Sequence, residues 1–180
     1  VHPQPESYRG SVNTVGERSC YDEGKRIAET LFNDYWRVHE VDAKIARIFN
    51  TYGPRMSPND GRVISNFIFQ GLNSQSLTIY GEGTQTRSFC YVDDLIDGLI
   101  KLMNSKEKGP INLGNPEEFK IIDLAHLIKN KINTNLQMTF KHLPDNDPLK
   151  RRPSIEKAKN ELLWEPKISL NIGLDKTIQY

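Results

Sequence analysis

The spacing of apolar residues along the chain predicts helices that alternate with short strands. In several segments apolar side chains recur every three or four residues, which is the period of an amphipathic helix. Helices are predicted from Ser19 onward, over residues 62–72, 93–103 and 121–132, and after the candidate caps Ser154 and Ser169. Short apolar runs predict strands at residues 43–49, 77–80, 87–92, 110–113 and 138–142.

Glycine, proline and polar residues mark the turns between these elements. They are concentrated in residues 1–18, 50–55, 81–85 and 143–153, which are predicted as loops. The chain has no internal repeat, and its 180 residues are enough for one domain with a buried core. The alternation of helices and strands therefore favours a mixed α/β fold.

The charge of the chain is nearly balanced, with 24 Lys and Arg residues, 23 Asp and Glu residues and a net charge of +1. This balance predicts no general attraction to nucleic acid or to a membrane surface. No apolar run approaches the ~20 residues that a membrane-spanning helix needs. We therefore expect neither a nucleic-acid partner nor membrane contact in this segment.

The 2 cysteines, Cys20 and Cys90, are too few and too far apart for a disulfide scaffold or for paired zinc ligands. The histidines also lack the spacing of metal ligands, so no metal site is predicted. A cytoplasmic location is expected from this cysteine usage. Because the chain begins with Val1, it is expected to be part of a longer protein, and a Golgi-lumen form with a preceding anchor stays open.

Tyr21 and Lys25 place a phenol and an ammonium group one helical turn apart. Residues at this spacing share one face of a helix, with Cβ atoms about 5–6 Å apart. A phenol titrates near ~10, so it is a poor base at neutral pH unless a neighbouring cation stabilises the phenolate. Lys25 is the predicted cation, which makes Tyr21 a candidate general base. Taken alone, however, this spacing is more often a tyrosine and a lysine on a solvated helix.

Two later motifs give this pair a context. Residues 47–55 read RIFNTYGPR, and residues 81–87 read GEGTQTR. Together with Tyr21-x-x-x-Lys25 they resemble the extended short-chain dehydrogenase/reductase family. Within that family, residues 2–4, 18–26, 112–118 and 150–155 are most similar to the branch that decarboxylates UDP-glucuronate. The resemblance covers essentially the whole chain, but it begins partway into the family's sequence.

The resemblance implies the C-terminal part of a Rossmann-like doubly wound NAD-binding fold, joined to a smaller mixed α/β substrate-binding lobe. Residues 1–60 are expected to belong to the NAD-binding domain. Residues 61–180 should mainly form the UDP-sugar lobe, with some segments returning to the first domain. No GxGxxG loop follows a strand in this sequence, so the phosphate cradle is expected in a preceding half. Without that half, a sheet edge and apolar surface should be uncovered.

The implied activity is NAD-dependent decarboxylation of UDP-glucuronate to UDP-xylose through a transient 4-keto intermediate. The resemblance assigns Tyr21 to removal of the C4 hydroxyl proton, Lys25 to the phenolate and the nicotinamide ribose, and Arg151 to the sugar carboxylate. Arg152 could exchange roles with Arg151. A guanidinium is a poor acid, so a water molecule held by Arg151 is an alternative proton donor to the enolate.

The resemblance also assigns two sets of ligand-binding residues. The predicted substrate-binding residues are Arg18, Asn50, Tyr80, Gln85, Arg87 and Arg151. The predicted cofactor-binding residues are Tyr21, Lys25, Thr51 and Arg62. Arg87 is assigned to the diphosphate, which arginine can hold with two N–H donors. A solvated position for Arg18, Arg62 or Arg151 and a core position for Tyr80 stay open as alternatives.

Other functions are also compatible with these motifs. The same tyrosine and lysine serve other UDP- or dTDP-sugar epimerases and 4,6-dehydratases. The chain alone could instead be a non-catalytic UDP-sugar-binding fragment. The resemblance further implies a homodimer through the helix that carries Tyr21, where Leu31, Tyr35 and Val38 suit either an interface or a core.

Overall fold

The computed structural model describes residues 1–16, 19–58, 60–143 and 150–180. The helices are α1 (Ser19–His39), α2 (Val63–Leu72), α3 (Val92–Met103), α4 (Ile121–Ile132), α5 (Glu156–Leu162) and α6 (Leu170–Gln179). The strands are β1 (Ala46–Ile48), β2 (Thr51–Tyr52), β3 (Leu77–Tyr80), β4 (Thr86–Ser88), β5 (Cys90–Tyr91), β6 (Ile111–Leu113), β7 (Glu118–Lys120), β8 (Met138–Lys141) and β9 (Lys150–Arg151). The predicted mixed α/β fold is confirmed. No helix of the described ranges is long and apolar enough to cross a membrane.

Small, mostly parallel sheets organise the described strands. β1 pairs with β6, β2 with β5, and β3 with β8, each in parallel. A three-stranded sheet has the order β7-β4-β9, in which β4 is antiparallel to β7 and parallel to β9. Because parallel neighbours cannot be joined by a tight hairpin, the intervening helices cross over between them.

Two apolar clusters hold these elements together. One packs α2, α4 and α6 around β3, with Phe67, Ile79 and Leu124 almost completely buried. The other packs α3 and α5 against β6. In this second cluster Trp164 is 1% exposed, and its Nε1 donates to the Asp94 carbonyl oxygen at 2.9 Å. Trp164 is thus a packing residue of this cluster.

Helix α1 differs from the others because none of its residues is buried. Its apolar side chains Ile27, Leu31 and Val38 are 54%, 50% and 70% exposed. In addition, β1 pairs on one side only among the strands of the described ranges. An amphipathic helix is normally stabilised by burial of its apolar face. The predicted uncovered sheet edge and apolar surface are therefore both present.

Several predicted boundaries are wrong. β1 is shorter than the predicted strand over residues 43–49, and the strand predicted over 87–92 is interrupted at Phe89. The loops predicted at 50–55 and 143–153 contain β2 and β9, although residues 144–149 lie outside the described residues. β2 and β9 are two residues long, too short for an apolar period, and each forms by pairing with a distant strand.

The predicted helix caps have different outcomes. The Ser169 hydroxyl accepts a hydrogen bond from the Ile172 backbone N–H at 3.4 Å, which confirms the cap of α6. Ser154 is not a cap, because Ile155 occupies the N-cap position of α5. The Ser154 backbone N–H instead donates to the Gln4 carbonyl oxygen at 2.9 Å.

Candidate active site

The predicted Tyr21–Lys25 pair forms in the first turns of α1. The Lys25 ammonium nitrogen lies 5.5 Å from the centroid of the Tyr21 ring, within the range of a cation–π contact. The Tyr21 side chain is exposed, so its hydroxyl-bearing ring is accessible from solvent. The helical spacing therefore produces the predicted proximity of phenol and ammonium. Cys20, beside this pair, is also exposed.

Glu29 and Arg47 anchor α1 to β1. Arg47 Nε and Nη2 donate to the two carboxylate oxygens of Glu29 at 2.7 and 2.8 Å, and Nη1 donates to the Glu6 carbonyl oxygen at 2.9 Å. The hydrogen bond with Glu29 raises the pKa of Arg47, burial lowers it, and the charges of Glu29 and Glu6 raise it further, with a net increase. This anchor fixes which side of α1 faces the sheet.

The anchor also relates Tyr21 to the end of β1. Tyr21 precedes Glu29 by about 12 Å of helix axis, and Asn50 follows Arg47 by about 10 Å of extended chain. A helix that leads into a strand of a parallel sheet runs antiparallel to that strand. The N-terminal turn of α1 is therefore expected at the level where β1 ends and Asn50 begins the next segment.

Arg87 and Arg151 are neighbours on adjacent strands. They are register partners in the parallel pair of β4 and β9, so their side chains project from the same face of the sheet. Arg152, the next residue, forms an ion pair with Glu118 at 4.0 Å on the opposite face. Of the two candidates for the sugar carboxylate, Arg151 thus shares a face with Arg87. The sequence spacing between Arg87 and Arg151 contained no signal for this proximity.

Asn50 and Thr51 lie between β1 and β2. The Asn50 side-chain amide donates to the Ser88 carbonyl oxygen at 3.3 Å, which brings it beside the strand that carries Arg87. The Thr51 hydroxyl donates to the Phe49 carbonyl oxygen at 2.9 Å. Both residues are half-buried, and both side chains help to shape the junction between the two strands.

Gln85 and Tyr80 are joined across the turn that separates β3 from β4. The buried Gln85 amide donates to the Tyr80 carbonyl oxygen at 2.8 Å. Tyr80 is 43% exposed, so the alternative of a core position is wrong. Gly83 within the turn has φ +74°, and a Cβ there would lie 2.9 Å from Ile122 Cβ. The turn therefore has a defined shape that only glycine accommodates at this position.

Arg62, a further candidate, lies at the start of α2. Arg62 is the N-cap residue of α2, with an exposed side chain and an ion pair to Asp60 at 3.7 Å. This geometry matches the alternative of an arginine at a helix start. Arg18 lies outside the described residues.

Glu29, Arg47 and Glu118 support the site, a role that the sequence motifs did not predict for any of them. Glu29 follows Lys25 by a further four residues on the same helix, and this spacing was a usable signal. Arg47 was noted only as part of a motif. Glu118 was likewise part of a motif, and its partners lie in segments far away in the sequence.

The chain is similar in sequence to curated proteins named UDP-glucuronic acid decarboxylase. The chain is 57% identical over 174 residues to UDP-glucuronic acid decarboxylase 3 of Arabidopsis thaliana, an alignment that covers 97% of this chain and 51% of the relative. The chain thus spans about half the length of this curated relative. The predicted similarity to UDP-glucuronic acid decarboxylases is confirmed.

Solved structures have the same fold. UDP-glucose 4-epimerase from Thermotoga maritima, solved with UDP-glucose, is 27% identical with a TM-score of 0.92. The match covers 100% of this chain and 57% of the epimerase chain. UDP-glucuronic acid 4-epimerase from Bacillus cereus, solved with UDP-glucuronic acid and NAD, is 30% identical with a TM-score of 0.83. The match covers 97% of this chain and 58% of the epimerase chain. These likenesses confirm the predicted Rossmann-like architecture.

A family model described as the NAD dependent epimerase/dehydratase family matches residues 1–114. That match extends over more than half of the chain and includes the Tyr21–Lys25 pair, the end of β1 and the strand that carries Arg87. The chain therefore belongs to the NAD dependent epimerase/dehydratase family.

Proposed function

We propose that this chain is the catalytic and substrate-binding portion of an NAD-dependent enzyme that decarboxylates UDP-glucuronate to UDP-xylose. The proposal rests most directly on the register of Arg87 and Arg151, which puts the two arginines opposite each other on one face of the sheet. UDP-glucuronate carries two separate anionic groups, a diphosphate and a carboxylate. Arginine suits both groups, since its fixed fork of donors matches phosphate and carboxylate oxygens. The name of the Arabidopsis relative supports the same choice.

The residues present suit the nicotinamide end of NAD but not its phosphates. Tyr21 and Lys25 lie together on an accessible helix turn, whereas the sequence contains no GxGxxG cradle. In the full-length enzyme Lys25 would hold the nicotinamide ribose, with Thr51 and Arg62 as further cofactor contacts. The chemistry that bound NAD supplies is removal of hydride from C4 of the sugar and its later return.

Tyr21 would act as the base that takes the C4 hydroxyl proton, with its phenolate stabilised by Lys25. The resulting 4-ketone converts the uronic acid into a β-keto acid. Its bond to the carboxylate carbon can then break, with CO₂ leaving and the electron pair passing to an enolate. Arg151, or a water molecule that it holds, would orient the carboxylate and deliver the proton that quenches the enolate.

Product analysis tests the proposal. Full-length enzyme supplied with UDP-glucuronate and NAD should release CO₂ and form UDP-xylose. A 4-epimer that keeps its carboxylate would instead identify an epimerase, and loss of water from the sugar would identify a dehydratase. Either of these products would overturn decarboxylation.

Variants of the two central residues test the roles assigned to them. Tyr21→Phe in the full-length enzyme should lose most turnover, by about 10²-fold or more, and keep its affinity for UDP-glucuronate. Arg151→Ala should weaken binding of UDP-glucuronate by about 10-fold while binding of UDP changes less. Wild-type turnover in the first variant, or equal losses for both ligands in the second, would contradict these roles.

The 180-residue chain alone is the second candidate, as a UDP-sugar-binding fragment without activity. It is favoured by the unpaired edge of β1 among the described strands and by the uncovered side chains of α1. On this proposal residues 1–60 need a preceding half to form the NAD-binding domain, and residues 61–180 mainly bind the sugar nucleotide. Calorimetry of the isolated chain should detect no tight binding of NAD. Tight binding would refute the need for a preceding cradle.

We also propose that the full-length enzyme forms a homodimer through α1. Glu29 and Trp36 contact Arg47 and Lys108, so their side of the helix faces the rest of the chain. Leu31 lies about 200° around the helix from Glu29. With Ile27 and Val38, it forms an exposed apolar face turned away from the chain. Leu31→Arg in the full-length enzyme should halve the mass seen by sedimentation, and an unchanged mass would contradict this interface.

A further inference from the structure

The spacing of the arginine pair in the candidate site depends on a short strand. Arg87 and Arg151 are register partners in β4 and β9. β9 is only two residues long and, among the described strands, pairs only with β4. The pairing of these two strands therefore gives few backbone hydrogen bonds that fix the position of Arg151 relative to Arg87.

Glu118 supplies this support from the opposite face of the same sheet. It is the register partner of Ser88, so its side chain projects on the side of the sheet away from Arg87. The Thr86 hydroxyl donates to Glu118 Oε1 at 2.6 Å, and Arg152 Nη1 lies 4.0 Å from Oε2. One carboxylate thus links β7, β4 and the residue that follows β9.

Residues of the N-terminal segment also contact Glu118 and Arg152. His2 Nε2 lies 2.9 Å from Glu118 Oε2. The Arg152 backbone N–H donates to the side-chain oxygen of Gln4 at 3.0 Å. The Gln4 backbone N–H donates to the Arg152 carbonyl oxygen at 2.8 Å. Glu118 and Gln4 therefore hold Arg152 from two sides, and Arg151 immediately precedes it.

The protonation of Glu118 agrees with this role. Burial acts to raise the pKa of its carboxyl group. Hydrogen bonds from Thr86 and His2, with the charges of His2 and Arg152, outweigh burial and lower the pKa overall. The carboxylate is thus in its charged form, which is the form that binds Arg152 and offsets the positive charge of the sheet.

We propose that Glu118 is a positioning residue that holds Arg151 at a fixed distance from Arg87, so that the pair can bind the anionic groups of a sugar nucleotide. This rests on the proposed function, because it assumes that the arginine pair contacts the substrate. Glu118 itself does not contact the ligand. Its removal should therefore weaken the binding of the sugar carboxylate and leave the binding of the uracil and ribose unchanged.

The test compares three ligands that differ in their anionic groups. Full-length enzyme with Glu118→Gln is titrated with uridine, UDP and UDP-glucuronate, and Glu117→Gln serves as the control because Glu117 is the exposed neighbouring carboxylate. In Glu118→Gln, the Kd for UDP-glucuronate should rise about 10-fold, which corresponds to the loss of one charge-assisted hydrogen bond to the sugar carboxylate, and the Kd for UDP should change less. The Kd for uridine should change less than about 2-fold, and the control should match wild type.

A second variant covers the case in which Glu118→Gln does not fold. Thr86→Val keeps the Glu118 carboxylate and removes one of its hydrogen bonds, so the same selective loss should appear at about 3-fold. In an Arg151→Ala background, Glu118→Gln should cost little further affinity for UDP-glucuronate, because the group that it positions is gone.

The outcomes separate this proposal from the proposed function. An unchanged Kd for UDP-glucuronate in Glu118→Gln, an equal loss for UDP or uridine, or an undiminished effect in the Arg151→Ala background would overturn the positioning role. If the enzyme binds UDP-glucuronate with this dependence on Glu118 but makes no UDP-xylose, the decarboxylase proposal fails while the positioning role stands.

Discussion

Removal of the Glu29 carboxylate should release helix α1, and with it Tyr21, from the rest of the chain. None of the residues of α1 is buried, so apolar packing holds this helix weakly. The paired hydrogen bonds between Arg47 and Glu29 are the strongest polar contact described between α1 and β1. Glu29→Gln keeps the size of the side chain and removes its charge.

The structure sets the size of the expected effect. The side chains of Arg47 and Glu29 are 28% and 31% exposed, so water screens this pair only in part. Breaking such a pair leaves Arg47 half-buried with a weaker acceptor, at a cost of about 1–3 kcal/mol. A central value of about 2 kcal/mol corresponds to a factor of about 30 in the local opening of α1.

Hydrogen exchange measured by mass spectrometry reports this opening directly. Peptides from α1 should exchange about 30-fold faster in Glu29→Gln, while peptides from α4 keep their rates because α4 packs in the larger apolar cluster. Glu23→Gln is the matched control, since its contact with Arg26 on the same helix is exposed and 3.8 Å long. Unchanged exchange in α1, or equal acceleration in both helices, would refute the anchoring role.

Two further predictions concern packing and thiol accessibility. Gly173→Ala should lower the free energy of unfolding by about 1–3 kcal/mol, because its Cβ would lie 2.1 Å from the Tyr52 hydroxyl oxygen. Gly24→Ala, with no atom within 4 Å, should instead be neutral or stabilising, and urea unfolding that ranks the two variants otherwise would contradict this. Burial, with the charge of Asp94, raises the pKa of the Cys90 thiol to about 12. At pH ~8 a thiol reagent should therefore label the exposed Cys20 rapidly and Cys90 only after unfolding, and two fast reactions would be inconsistent with the buried position.

The elements that the sequence predicts well are those stabilised by their own apolar pattern. In α4, the apolar residues Ile121, Leu124, Ala125 and Ile128 recur at helical spacing, and all of them are buried as this pattern predicts. The cap at Ser169 was also predictable, because it depends on residues within one turn of the helix. Local periodicity and local hydrogen bonding are sufficient for such features.

Features that depend on distant partners were not predictable in this way. β9 consists of Lys150 and Arg151, which have no apolar pattern, and it forms because β4 offers a partner strand. The Tyr21–Lys25 pair was visible as a helical spacing, whereas the pairing of Arg87 with Arg151 required the register of two strands. The supporting role of Glu118 was not predictable for the same reason, since its partners His2 and Thr86 lie in segments far away in the sequence.

The fate of the C4 hydrogen tests the central claim most directly. Full-length enzyme would be given UDP-glucuronate that carries deuterium at C4, with NAD, and the product analysed by mass spectrometry and NMR. Transient oxidation with Tyr21 as the base predicts that quenched turnover contains deuterated NADH and that the final UDP-xylose retains the deuterium at C4, together with released CO₂. Retained deuterium without any deuterated NADH would mean that C4 was never oxidised. A product that keeps the carboxylate, or UDP-xylose formed at an undiminished rate by Tyr21→Phe, would contradict the account.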